Sequence, residues 1–233
     1  LRPDRHRYSQ RGDRSPRMIG TARIKVCGIT RAADATMTLA SGADYLGINC
    51  WSGSPRFVPA EARAALLREV PADKRIAVTV NPTVAEAAAL IAEGFAIVQA
   101  HFDPAKNECD PKALSAQLGV KHLWLAPKLA DGAEWPADLI PLAEGFVHDA
   151  HAKDAFGGTG KVSDWTRFQK LVQKYPQSLW ILAGGLGPDN IAAAAKSGAG
   201  FFDLNSGIEL APGLKSAEKM AGVSDVLLKN SQS

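Results

Sequence analysis

From Arg23 onward the chain alternates short runs that are apolar at consecutive positions with longer amphipathic ones. The short runs cover 24–27, 45–49, 76–80, 97–100, 122–126, 145–149, 179–183 and 201–204. Apolar residues on both faces are what a buried parallel strand requires, whereas a half-exposed strand would alternate. The intervening segments read as helices. Residues 59–70 open on proline and place Ala62, Ala65, Leu66 and Val70 on one face. Residues 83–93 are alanine-rich and stop at Gly94, and 190–197 stop at Gly198 in the same way. Segments 164–174 and 216–229 complete the well-defined set; 111–118 and 136–142 are the least regular.

Eight β-then-α units in this order predict an α/β fold, a single (β/α)8 TIM barrel. The rival is an open doubly wound sheet, but no Gly-x-Gly-x-x-Gly follows the first strand. The expected organisation is a disordered basic N-terminal extension over 1–22, the barrel over 23–229 and a short tail over 230–233.

Charge changes this picture at one end only. The chain of 233 residues carries a formal +3. Residues 1–17 hold six arginines against Asp4 and Asp13, a balance of +4, so the remainder carries −1. The extension has too few apolar residues to offset its ordering entropy, and it lacks the apolar stretch of a secretory signal. An arginine arm for nucleic acid is the sharper reading of it; a leader preceding Met18 is the blander one, and the near-neutral body gives nucleic acid no further surface. No apolar run approaches the roughly 20 residues of a membrane span. Three scattered cysteines, Cys27, Cys50 and Cys109, fit neither a disulfide framework nor a zinc site. His101, His122, His148 and His151 show no ligand spacing with cysteine or carboxylate, so no metal and no cofactor is expected.

Barrel chemistry sits where strands end. The first strand ends at Cys27-Gly28, which reads either as a reactive thiol at the barrel mouth or as a small buried hydrophobe. The sixth ends at Asp149, a general acid or a helix N-cap, followed by Gly157-Gly158-Thr159-Gly160-Lys161. The seventh and eighth lead into Gly184-Gly185 and Ser206-Gly207. Glycine-bearing loops at those two places are where barrels often bind phosphate through backbone amides, although such loops also serve as plain turns.

Taken in order, these motifs resemble the phosphoribosylanthranilate isomerase family from Ile24 to about Lys215. The resemblance is carried by Lys25-Val26-Cys27-Gly28-Ile29-Thr30, by Gly42-Ala43-Asp44-Tyr45-Leu46-Gly47, and by Ser54-Pro55-Arg56-Phe57-Val58. Val80-Asn81, Val98-Gln99, His101, Asp149, the 157–161 loop and Asp164-Trp165 continue it. Ala183-Gly184-Gly185-Leu186, Ser206-Gly207-Ile208-Glu209 and Pro212-Gly213-Leu214-Lys215 close it. It implies an Amadori rearrangement in tryptophan biosynthesis, in a cytoplasmic enzyme that is a monomer or homodimer, with a small phosphosugar as substrate and neither nucleic acid nor membrane as partner. It implies Asp149 as general acid and Cys27 as general base. It implies Arg56, His101 and Asp203 as substrate-binding residues, with Arg56 on the anthranilate carboxylate, and Gly158, Gly160, Gly184, Gly185, Ser206 and Gly207 around the phosphate. A free thiol titrates near 8.5, so a basic Cys27 calls for a lowered pKa, and Lys25 lies two residues earlier on the same strand face.

The sequence departs from the family pattern at Ala100 and Phe102 beside His101, at Leu204-Asn205, at Thr79 and at Cys50-Trp51. The nearest enzyme rival, the aminoaldose isomerase of histidine biosynthesis, resembles a duplicated half-barrel whose first strand ends in aspartate. Indole-glycerol-phosphate synthase needs catalytic lysine and glutamate at several strand ends. Neither pattern is found, and the intact Cys27 and Asp149 speak against a non-catalytic phosphate-binding barrel.

A chain beginning at Met18 is expected to match the full chain in Tm and kcat/KM. A clear drop in either would mean that the arginine-rich segment packs on the barrel.

Overall fold

The computed structural model describes residues 22–130, 132–149 and 165–230. Eight strands close into a barrel in chain order. They are β1 (Arg23–Cys27), β2 (Tyr45–Asn49), β3 (Arg75–Val80), β4 (Ile97–Phe102), β5 (Leu123–Pro127), β6 (Gly145–Asp149), β7 (Leu179–Ala183) and β8 (Phe201–Leu204). All neighbours are parallel, and β8 returns to β1 with Lys25 opposite Asp203. Helices lie between them: α1 (Ala32–Ala40), α2 (Ala60–Arg68), α3 (Val84–Glu93), α4 (Pro111–Leu118), α5 (Trp165–Lys174), α6 (Ile191–Ala195) and α7 (Ala217–Asn230). None of the described helices is long and apolar enough to cross a membrane.

Local sequence explains the ends of several elements. Thr83 and Glu86 form a reciprocal capping box at the start of α3, and Gly94 ends that helix in the left-handed conformation. Asp110 accepts hydrogen bonds from the backbone of Lys112 and Ala113, with Pro111 at the first helical position of α4. The segment after β5 differs from the expected α-helix. It is a 3-10 stretch, Ala137–Leu142, with Pro141 inside, and proline there lacks the N–H a regular turn would use. Helix α1 was not delimited by the hydrophobic pattern. A small antiparallel hairpin after β8, formed by β9 (Glu209–Ala211) and β10 (Leu214–Lys215), was not anticipated either. Ala22, expected in the extension, is buried at the barrel edge.

Two cores result. The larger fills the space between strands and helices and includes Leu46, Ile48, Leu66, Phe146, Phe168, Trp180 and Met220. The smaller fills the barrel with residues such as Ile76, Val78, Trp124, Val147, Ile181 and Phe201. Tyr45 stacks on Phe201 at a centroid distance of 5.7 Å, Trp124 meets both edge-on at 5.3 and 5.6 Å, and the Arg23 guanidinium lies 4.7 Å from the Phe201 ring centroid. This aromatic cluster fills the end of the barrel where the strands begin, and the cleft lies at the opposite end.

The cluster depends on a missing side chain. A Cβ at Gly145 would stand 2.8 Å from the Trp124 ring. Trp124 is fully buried among its partners and has nowhere to move. Gly145→Ala is therefore expected to cost about 1–3 kcal/mol as overpacking, read as a lowered urea midpoint at unchanged slope. A cost below about 0.5 kcal/mol would show that the cluster yields freely.

Candidate active site

The open end of the barrel holds one cleft, and most of the expected site residues line it. Cys27 comes from the end of β1, His101 from β4, Asp149 from β6 and Asp203 from β8, with Arg56, Gly184, Gly185 and Ser206 supplied by loops. Asn49, Trp51, Gln99 and Asn205 join them. Gly158 and Gly160 lie outside the described residues. Gly207 does not line the cleft; it packs against the loop after β7, where a Cβ would meet the Leu186 carbonyl oxygen at 2.1 Å. A Cβ at Gly187 would likewise meet the Gly207 carbonyl oxygen at 2.6 Å. The two loops touch backbone to backbone because neither glycine has a side chain.

Beneath the cleft, Lys25 is fully buried, and its Nζ donates to Asp203 Oδ2 at 2.6 Å across the β1–β8 seam. Lys25 and Cys27 share the inward face of β1. A Cβ on Gly47 of β2 would lie 3.1 Å from Lys25 Cε and 3.2 Å from Cys27 Sγ, so glycine leaves room for both side chains. Burial pulls the Lys25 pKa down, but Asp203 and the neighbouring thiol outweigh it and hold the ammonium charged. The thiol behaves differently from the lowered value expected of a base. Burial pushes Cys27 up, Lys25 opposes that, and Asp203 reinforces it. Lys25 is too committed to Asp203 to bring the thiol down in the open cleft. Asp203 Oδ1 is buried and has no hydrogen-bond partner.

The loop after β2 folds back on its own strand. Phe57 bridges Asn49, and the Val58 N–H donates to the Asn49 carbonyl at 2.9 Å. That return carries Arg56 over Gly28, whose φ is +71° and where a Cβ would sit 2.5 Å from Arg56 Cδ. Arg56 pairs with Glu209, and Glu209 also accepts from Lys215 Nζ at 2.8 Å. Lys215 reaches Asn205 Oδ1 at 3.0 Å as well. Burial disfavours charge on Glu209, but Arg56 and Lys215 more than offset it and hold the carboxyl below its ordinary range. The sequence motifs containing Glu209 and Lys215 carry no role of their own for these residues; the hairpin pairing brings the two together.

Around the phosphate-type loops, the Asn190 side chain fixes the turn after β7. Its Oδ1 accepts from the Gly187 N–H at 2.9 Å, and its Nδ2 donates to the Gly185 carbonyl at 3.0 Å. Gly184 and Gly185 both take positive φ, +112° and +61°. The Ser206 hydroxyl is buried without a partner and is available to an anion. Among the described residues, no group of three or more His, Cys, Asp or Glu could hold a metal ion.

A family model described as N-(5'phosphoribosyl)anthranilate (PRA) isomerase matches residues 24–226. The chain belongs to the phosphoribosylanthranilate isomerase family. Among curated relatives, an N-(5'-phosphoribosyl)anthranilate isomerase from Magnetococcus marinus is 36% identical over 203 residues, covering 85% of this chain and 91% of its own. One from Syntrophus aciditrophicus is 32% identical, covering 86% and 84%. Among solved structures, phosphoribosyl anthranilate isomerase from Thermus thermophilus superposes with a TM-score of 0.74 at 26% identity, over 89% of this chain and 99% of that one.

Where the chain departs from the pattern of the phosphoribosylanthranilate isomerase family, the structure separates harmless changes from ones that touch the cleft. Ala100 and Phe102 flank the inward-facing His101 and point outward into the helix-facing core. Trp51 and Asn205 do line the cleft.

His101 is held neutral. The Gln99 side-chain amide lies within hydrogen-bond distance of His101 Nε2, at 2.8 Å. Burial, and then the charge of Lys25, bring the His101 pKa from 6.5 to about 4. Burial, and then Arg167, bring His148 to about 4 as well. Below the ordinary value the unfolded chain takes up protons that the folded one refuses. Stability from these groups is therefore present above pH 6.5 and is lost as pH falls from there toward 4. NMR titration is expected to leave the His101 and His148 ring signals flat down to about pH 5, consistent with these depressed values. A midpoint near 6.5 for His101 would contradict the burial and the nearby Lys25 charge assigned to it.

Proposed function

We propose that the cleft carries out the Amadori rearrangement of N-(5-phosphoribosyl)anthranilate to 1-(2-carboxyphenylamino)-1-deoxyribulose 5-phosphate through Asp149 and Cys27. The observation that carries this reading is that an acid from β6 and a thiol from β1 line one cleft, with Arg56 and the glycine loops around the same space.

Asp149 protonates the ring oxygen of the ribose, which breaks the C1′–O bond and leaves an iminium at C1′. The Cys27 thiolate then takes the C2′ proton, and the electron pair moves to form the enolamine. Protonation at C1′ and loss of the C2′ hydroxyl proton give the ketone, so substrate and product are isomers and no atoms are exchanged with a co-reactant. The acid and the base act on different atoms of one sugar, which suits their origin on strands three apart in the barrel.

Binding follows the same division. Asp203 uses Oδ2 for Lys25, so its unpartnered Oδ1 is left to accept from a sugar hydroxyl. Neutral His101 borders the cleft without adding charge. Gly184, Gly185 and the Ser206 hydroxyl hold the phosphate, with Gly207 fixing the loop contact behind them, and Gly158 and Gly160 complete the clamp. Arg56 takes the anthranilate carboxylate. On this reading the enzyme acts in the cytoplasm, as a monomer or homodimer, on a small phosphosugar.

Rescue of a tryptophan auxotroph lacking this isomerase tests the activity. Asp149→Asn tests the acid: the fold is expected to persist while kcat falls about 10²–10⁴-fold, the usual contribution of general acid catalysis. A loss below about threefold would remove Asp149 from the mechanism.

A further inference from the structure

Glu209 has no role in the reaction just described, yet it is one of the most heavily bonded side chains at the barrel mouth. Its Oε1 accepts from Arg56 Nε at 2.9 Å, from Lys215 Nζ at 2.8 Å and from the Gly213 backbone N–H at 3.0 Å. Its Oε2 accepts from Arg56 Nε at 3.1 Å and from Arg56 Nη2. A carboxylate offers about four lone-pair sites, so Glu209 has little capacity left for a ligand. Side-chain exposure is 4% for Glu209 and 11% for Arg56.

The geometry on the arginine is one-sided. Glu209 takes the side edge of the guanidinium, Nε and Nη2, while no hydrogen bond within the described residues is made to Nη1. The end edge, Nη1 with the second hydrogen of Nη2, is itself a fork that matches a carboxylate. Arg56 lines the cleft with Cys27, Asp149 and Asp203. Its stem packs over Gly28, where a Cβ would stand 2.5 Å from Arg56 Cδ. Glu209 with two cations, Arg56 and Lys215, leaves a net positive charge at this side of the mouth.

We propose that Glu209 is a positioning residue: it holds the side edge of Arg56 so that the end edge stands ready for the aryl carboxylate of the substrate, and it thereby sets specificity for carboxylate-bearing substrates without touching them. This rests on the isomerase reading above. An arginine fixed during folding does not have to be ordered again on binding, so the fork is preorganised. The hairpin of β9 and β10 supplies both Glu209 and the Lys215 that anchors it.

The test compares two ligands, reduced 1-(2-carboxyphenylamino)-1-deoxyribulose 5-phosphate and its analogue lacking the carboxylate. Glu209→Gln keeps the shape and removes the charge. Its Kd for the first ligand is expected to rise about tenfold, the scale of one charge-assisted contact, while the second ligand binds as before and kcat falls far less than KM rises. Tighter binding of the carboxylate ligand would overturn the proposal, because Glu209 would then be a competitor that the substrate displaces. Equal losses for both ligands would overturn it in favour of a structural role. Should Glu209→Gln not fold, the wild-type protein still decides. The Arg56 Nε–H NMR signal, assigned by its loss in Arg56→Lys, is expected to stay in place on saturation with the carboxylate ligand while the Nη signals shift. Movement of Nε–H together with Nη would show that the Glu209 contact breaks. Equal wild-type affinity for the two ligands would also overturn the proposal. Wild-type turnover of N-(5-phosphoribosyl)anthranilate, measured alongside, judges the isomerase reading separately.

Discussion

A fully buried ammonium inside a barrel is tolerable only with a partner, and in this protein the Lys25–Asp203 pair at 2.6 Å supplies it. The two residues face each other across the seam between the first and last strands, so the pair ties barrel closure to the floor of the cleft. Removing one partner would leave an uncompensated charge in the core, which typically costs about 3–5 kcal/mol. Cys27 is the next inward position on β1. Burial raises its pKa, and Lys25, whose charge is already shared with Asp203, opposes that only in part.

A second cluster sits at the rim. Arg56, Glu209 and Lys215 carry a net positive charge, whereas Lys25 with Asp203 is balanced and His101 is neutral. The cleft thus offers net positive charge on one side and a charge-balanced floor below, an arrangement that favours an anionic ligand and orients it. The loops after β7 and β8 add backbone and the Ser206 hydroxyl rather than further cations.

Much of this was legible in the sequence. Doubly apolar runs located all eight strands, with β4 extending two residues beyond its expected end because His101 and Phe102 still pair with Ala126 and Pro127 of β5. Strand-end logic found Cys27, Asp149 and the loops at 184–185 and 206–207, while the roles of Arg56, His101 and Asp203 came with the family resemblance. What remained hidden depends on long-range pairing. Lys25 and Asp203 are 178 positions apart, and Arg56 and Glu209 are 153 apart. No local period announces such contacts. The β9–β10 hairpin is too short to show alternation, and Pro141 broke a pattern that otherwise read as α-helix. The lowered pKa asked of Cys27 also failed to appear, because burial and Asp203 were invisible to a reading of one strand.

The central claim is that Cys27 is the general base, and its ionisation is the most direct place to test it. Burial holds the thiol above its ordinary value, so kcat/KM should rise with pH along one ionisation on the alkaline side of neutrality. Iodoacetamide should label Cys27 along the same curve, and bound product analogue should protect it. Cys50 and Cys109, pushed up to about 12 and about 11 by burial and lying outside the cleft, provide the comparison. Cys27→Ser, nearly isosteric and a far poorer base, should keep its circular dichroism spectrum, lose the ionisation and lose turnover. Wild-type turnover in that variant would contradict the account.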